Sequence, residues 1–211
     1  MKQQPSRILR EYIESTILPQ YDNFDAAHRR DHVEWVINEA LRLAAYYDVS
    51  VDMLYAAAAF HDTGLAFGRE EHHIHSARII RADEFINTYF TPAQIDIIAD
   101  AAEDHRASNK HEPRTIYGRL VAEADRQIFP EVCMRRTVQY GLKHYPEMSR
   151  EEHYERFRQH LVEKYGRGGY LRCWIPQSDN AERLEQLRGV IDNETLLREH
   201  FNTLFDNLNN C

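Results

Sequence analysis

The sequence predicts an all-α protein. Three observations carry that expectation. Apolar residues recur at three- and four-residue steps along most of the chain, the spacing that puts them on one helical face. Two capping boxes, Thr91-Pro92-Ala93-Gln94 and Ser149-Arg150-Glu151-Glu152, mark helix starts. No set of strand-length alternating runs, internal repeat or low-complexity segment is visible.

The elements follow in order. Val33, Val36, Ile37, Ala40, Leu41, Ala44 and Ala45 form the first amphipathic stripe. Ser50 is placed to cap the next helix, which runs through Leu54 to about Phe60. Thr63-Gly64 and Gly68 break it. A single helix is expected from about Glu71 to Tyr89, with Ile74, Ala77, Arg78, Ile79 and Ile80 in register. Thr91 caps another, with Pro92 at its first position, running toward Glu103. Ser108 to Pro113 reads as a polar loop. Further helices are expected over about Thr115–Gln127, Pro130–Lys143 and Ser149–Tyr165. Gly166-Arg167-Gly168-Gly169 is the clearest break, lacks the lysine and hydroxyl residue of a P-loop, and precedes two shorter helices, about Ala181–Gly189 and Glu194–Leu208. The expected organisation is a helical domain over 1–165 with C-terminal helices, 166–211, packed on it as an appendage.

Composition narrows the function classes. At 211 residues, 43% hydrophobic and 28% charged, the chain can build a core without disulfides. A formal net charge of −8 argues against nucleic-acid polymers as partners, although a local basic pocket can still hold one phosphate. Cys133, Cys173 and Cys211 are far apart and form no CxxC pattern, so a reducing, cytoplasmic location is expected. Met1 to Arg10 lacks the apolar core of a signal peptide, and no run approaches the roughly 20 apolar residues of a membrane helix. No membrane partner is expected. Tyr46-Tyr47, Tyr89-Phe90 and Tyr145 finish either the core or a homodimer seam. No serine or cysteine has the flanking pattern of an activated nucleophile.

His61-Asp62 is the feature that points to chemistry. It ends the apolar run Met53 to Phe60, where a buried His and Asp are costly unless something pairs them. His32 lies 29 residues before it, and Asp125 follows the apolar approach Leu120-Val121-Ala122. Imidazole nitrogens and carboxylate oxygens together suit divalent ions such as Mn, Fe, Mg, Ni, Co or Zn. Ligands converging from several helices are a known way to hold them.

The order His32, His61-Asp62, Asp125 resembles the HD superfamily of metal-dependent phosphohydrolases. The resemblance covers roughly Asp22 to Gln127, with Phe24 to Ala45 similar to the first ligand helix. It implies that His32, His61, Asp62 and Asp125 are the four ligands of one divalent metal. Some HD proteins add two histidines that bind a second ion. Glu71-His72-His73-Ile74-His75-Ser76-Ala77 and Ala102-Glu103-Asp104-His105-Arg106 resemble those segments and imply His72 and His105. His72 and His75 share a helical face, so His75 rivals His72, while His73 points elsewhere.

The implied activity is hydrolysis of a small phosphate ester or anhydride, a nucleotide above all, by a metal-activated water. Arg106, Lys110, Arg69 and Arg114 are the cations nearest these segments in sequence. Of these Arg106, Lys110 and Arg69 are the candidate substrate contacts. His28, one turn before His32, is a candidate for the substrate pocket or a helix cap. One departure stands out. Several single-metal HD hydrolases carry an acidic residue three positions after the dipeptide, where this chain has Leu65. That fits a two-metal site better. Two other functions are open: an HD-type di-iron oxygenase, which has the same ligand order, and a non-catalytic metal- or ligand-binding module.

Overall fold

The computed structural model describes residues 4–25 and 27–209. Cys211 and Met1 to Gln3, which entered the cysteine and leader arguments, lie outside them. Eleven α-helices and no strand occur among the described residues: α1 (Arg7–Tyr12), α2 (Arg30–Ala44), α3 (Val51–Phe60), α4 (His72–Ala82), α5 (Glu84–Tyr89), α6 (Pro92–Asp104), α7 (Ile116–Asp125), α8 (Pro130–His144), α9 (Arg150–Tyr165), α10 (Asn180–Ile191) and α11 (Glu194–Asn209). A π turn, Ile13–Ile17, and a 3-10 turn, Leu18–Asn23, join α1 to the loop before α2.

The local signals act where the sequence puts them. The Ser50 side chain accepts the N–H of Met53 at the start of α3. Both capping boxes form, at Thr91 and at Ser149. One expectation fails. The helix expected over 71–89 is two, because Asp83 is extended (φ −72°, ψ 120°). Its carboxylate accepts the N–H of Ile86 and the Tyr12 hydroxyl, so it caps α5 instead of continuing α4.

The chain divides into two compact units, Met1–Arg126 with Trp174–Ser178, and Gln127–Cys173 with Asp179–Cys211. The division therefore follows Arg126 and does not fall at Gly166–Gly169. The glycine run ends α9, but α9 packs with α10 and α11 in the second unit, so the break in helix is no break in packing. Tyr154, Phe157 and Phe201 are fully buried in that unit, with Phe157 and Phe201 ring centroids 5.4 Å apart.

In the first unit α2 packs on α3 and α7, α6 on α3 and α7, and α4 on α6. Residues 56 to 60 of α3 are wholly buried. Four alanines, Ala56 to Ala59, let neighbouring helices approach this helix closely, and its C-terminus lies in the interior. The 3-10 turn Thr63–Phe67 then reverses the chain toward α4. Gly64 makes that reversal possible: a Cβ there would stand 2.0 Å from the His72 carbonyl oxygen and 2.6 Å from the Ser76 nitrogen. Its N–H donates to the Ser76 hydroxyl at 2.9 Å. No helix among the described residues is long and apolar enough to cross a membrane.

Candidate metal centre

His61 caps the C-terminus of α3 and Asp62 follows it, both essentially without solvent exposure. His32 comes from the first turn of α2, and Asp125 is the last residue of α7. These four converge around one carboxylate oxygen of each Asp. His61 Nε2 and His32 Nε2 lie 3.2 and 3.6 Å from Asp62 Oδ2. The same two nitrogens lie 3.9 and 3.2 Å from Asp125 Oδ1.

The other oxygen of Asp62 faces a second pair. His72 Nε2, from the start of α4, and His105 Nε2, at the end of α6, are each 3.4 Å from Asp62 Oδ1 and 3.1 Å from one another. Asp62 thus stands between two groups, His32-His61-Asp62 and Asp62-His72-His105, each close enough to hold a cation.

The backbone sets which nitrogen faces inward. His61 Nδ1 donates to the Ala58 carbonyl at 2.7 Å, His72 Nδ1 to the Arg69 carbonyl at 2.8 Å, and His105 Nδ1 to the Ala102 carbonyl at 2.5 Å. In each case the acceptor lies three residues back. With the proton held on Nδ1, the Nε2 lone pair is left for the centre, the arrangement expected of a metal-ligating imidazole. His61 Nε2 is buried and has no hydrogen-bond partner. Tyr21 holds the floor: its hydroxyl donates to the Ala59 carbonyl at 2.8 Å and accepts the Asp62 N–H at 3.3 Å.

Electrostatics divides the cluster. Burial by itself would raise Asp62, but the charge of the neighbouring His61, and then the close approach of His105 and His32, hold it well below the usual carboxylate range. Asp125 is lowered likewise: burial opposes, and its hydrogen bond and charge interaction with His32 prevail. Burial works against a charged His32 too, yet hydrogen bonds to Asp125 and Asp62 raise it to about 10. His105 is raised by Asp62 against its burial. His72 goes the other way, down to about 4, through burial and then the neighbouring His105.

The remaining candidates separate clearly. His75 stacks on Phe67, ring centroids 5.1 Å apart, and takes no part in either group, so His72 occupies the place the two shared in the sequence reading. His28 gives Nδ1 to Asp25 Oδ1 at 2.9 Å, its ring edge-on to His32 at 5.8 Å. Arg69 is exposed at the rim, 3.7 Å from Asp25 Oδ2. Arg106 donates to the Glu70 carbonyl, and Lys110 is exposed on the loop after α6. Arg114 is taken up by Asp104, bonded at 3.0 Å, and by Asp100. Leu65 lies in the turn after the dipeptide and offers no proton acceptor.

Two residues were not singled out from the sequence. Tyr21 is one of three aromatics before the first stripe, with Tyr12 and Phe24, and nothing local marks it from the others. Glu123 sits in the apolar approach to Asp125, yet it is fully buried, and its carboxylate accepts the N–H of Trp174 at 2.5 Å and of Ile175 at 3.3 Å. A buried acid inside a helical apolar run was the available clue.

The donor set fits a divalent metal. Four imidazole nitrogens and two carboxylates, with an orphaned buried nitrogen among them, match borderline-to-hard ions and contain no thiolate. Residues 29–127 match the family model described as HD domain, a span that includes all six converging residues and ends two positions after Asp125. No curated protein and no solved structure matches the chain.

Proposed function

The chain belongs to the HD superfamily, and from that premise we propose that it is a metal-dependent phosphohydrolase. Its substrate would be a small phosphate ester or anhydride, with a nucleotide as the class. The observation that carries this reading is Asp62, which presents one oxygen to each of two histidine groups. His32, His61, Asp62 and Asp125 would hold one ion, and Asp62, His72 and His105 a second. A divalent ion bound there would lower the pKa of a coordinated water and polarise a phosphoryl oxygen.

The chain's own residues do the rest. The Ala58, Arg69 and Ala102 carbonyls keep three imidazoles in the tautomer that faces inward. His72, lowered to about 4, is neutral at pH 7 and ready to donate a lone pair. Arg69 stands at the rim where it can meet a substrate phosphate, with Asp25 orienting it. His28 holds a proton between Nδ1 and Asp25 beside His32, a position from which it can serve a substrate oxygen. Arg106 would have to leave the Glu70 carbonyl to do the same.

The test is metal content of the purified protein by mass spectrometry, with a His61→Ala/Asp62→Ala variant beside it. Phosphate release from nucleoside mono-, di- and triphosphates, bridged dinucleotides and cyclic diesters is then measured under added Mn, Co, Mg or Fe. One or two ions per chain, lost with the activity in the variant, supports the proposal. Iron with dioxygen-dependent substrate cleavage would move the assignment to the oxygenase, since the same six residues suit a two-iron centre. No metal retained or taken up would sink it.

A further inference from the structure

Asp125 is the least secure member of the cluster by position. It is the last residue of α7, and its side chain is 25% exposed where that of Asp62 is 3% exposed. Two residues on, Gln127 has φ 37°, a left-handed turn that ends any helical continuation. Helix ends fray when their last turn lacks partners, so the direction of a terminal side chain needs outside support.

That support comes from a segment far along the chain. Residues 174–178 meet the end of α7 as a strap that closes in a turn, the Ser178 N–H donating to the Ile175 carbonyl at 3.1 Å. Glu123, two positions before Asp125, accepts the N–H groups of Trp174 and Ile175 on Oε2 and the Ser178 hydroxyl on Oε1. Arg126, the residue after Asp125, donates to the Ala122 carbonyl and lies over the Trp174 ring, 5.9 Å from its centroid. The strap is anchored beneath by Ile175, 2% exposed, and at its far end by the Tyr47 hydroxyl, which donates to Gln177 Oε1 at 2.6 Å. Apolar packing alone would not need a buried carboxylate here, because burying one is expensive and is tolerated where its hydrogen bonds fix a direction.

We propose that Glu123 is a positioning residue and that the Trp174–Ser178 strap it grips sets the direction of Asp125 toward the metal centre. The strap lies beyond the span matched by the HD family model, so this would be a device of this chain added to the shared core. The inference rests on Asp125 being a metal ligand.

Its test uses the full chain and Co2+ as the probe, titrated by visible absorption well below the unfolding temperature. The proteins are wild type, Glu123→Gln, Ser178→Ala and, as a control, Asp125→Ala. Glu123→Gln should weaken Co2+ binding roughly tenfold, the size of loss seen when a ligand's supporting partner is removed, and should change the cobalt absorption band. Ser178→Ala, which removes one donor and leaves the carboxylate, should shift both readouts the same way by less. A purely structural Glu123 would lower the unfolding temperature and leave affinity and spectrum alone. Wild-type affinity and spectrum in both variants, with Asp125→Ala impaired, overturns this inference alone. If Glu123→Gln does not fold, Ser178→Ala decides. If Asp125→Ala matches wild type, the ligand reading fails and takes this inference with it.

Discussion

The two oxygens of Asp62 look onto differently built halves of one cluster. On the Oδ2 side, His32, His61 and Asp125 come from α2, α3 and α7, helices packed around fully buried alanines. On the Oδ1 side, His72 stands at the polar start of α4, and its place depends on one close approach, Gly64 against the His72 carbonyl. The protonation states differ as well. His32 is raised to about 10 by the two carboxylates, so that half holds a proton of its own. His72, lowered to about 4, is neutral, with its one proton on Nδ1 facing the Arg69 carbonyl. The first half must exchange the His32 proton for an ion, whereas in the second the raised group is His105 and His72 is already neutral. The comparison teaches that one carboxylate can face two histidine groups positioned in different ways, one by buried helix packing and one by a single close backbone approach.

The largest expected effect comes from breaking what the halves share. Asp62→Asn keeps the shape and removes the charge, and metal content should fall to near zero in both, as elemental analysis would show. Retention of one full ion would refute the shared role.

Gly64→Ala should separate the halves. The added methyl cannot fit 2.0 Å from a backbone oxygen, so α4 must move and take His72 with it. Overpacking of this kind costs about 1–3 kcal/mol. Metal stoichiometry should fall toward one ion per chain while the His32 group stays loaded. Unchanged stoichiometry with unchanged thermal stability would contradict the packing argument.

The pH dependence is a smaller effect with a definite sign. In metal-free protein, His32 is raised from 6.5 to about 10. Its contribution to stability is fully present below about pH 6.5 and is lost as pH rises toward 10. Asp62 is lowered, so its contribution is present above the ordinary carboxylate range and lost in acid. The unfolding temperature of metal-free protein should therefore decline from about pH 6.5 upward, and His32→Ala should flatten that slope. Metal binding displaces the same proton, so affinity should rise across the window. An affinity that is flat with pH would mean that His32 is not charged in the free protein.

The smallest effect is expected at His75. It shares a helical face with His72 but stacks on Phe67, so His75→Ala should leave metal stoichiometry intact, and elemental analysis showing loss of an ion would reverse the choice between the two histidines.

Some of this was legible in the chain and some was not. The caps at Ser50, Thr91 and Ser149 and the stripe from Val33 to Ala45 are local signals, and the helices form where they point. Asp83 was read as part of a longer helix, because apolar periodicity ran past it; its carboxylate caps α5 with one oxygen and accepts the hydroxyl of Tyr12, remote in sequence, with the other. His72 and His75 could not be separated by periodicity, since both lie on one face. The packing of Gly64 and Phe67 separates them. The glycine run at 166–169 looked like a boundary, yet the division follows Arg126, because a flexible link says where helix stops and not which helices share a core.

By itself the sequence determined the helical class, the start of most helices and five of the six residue positions that the structure draws together, with the sixth narrowed to His72 or His75. Those depend on hydrogen bonding and side-chain spacing within a turn or two, and on a motif order that resembles a known family. Tertiary structure alone decided that Asp62 faces two ways, that Tyr21 and three backbone carbonyls fix Asp62 and three of the imidazoles, and that Glu123 is bound by a strap some 50 residues downstream. Such contacts join residues far apart in the chain, and their geometry is set by helix packing, which no local pattern encodes.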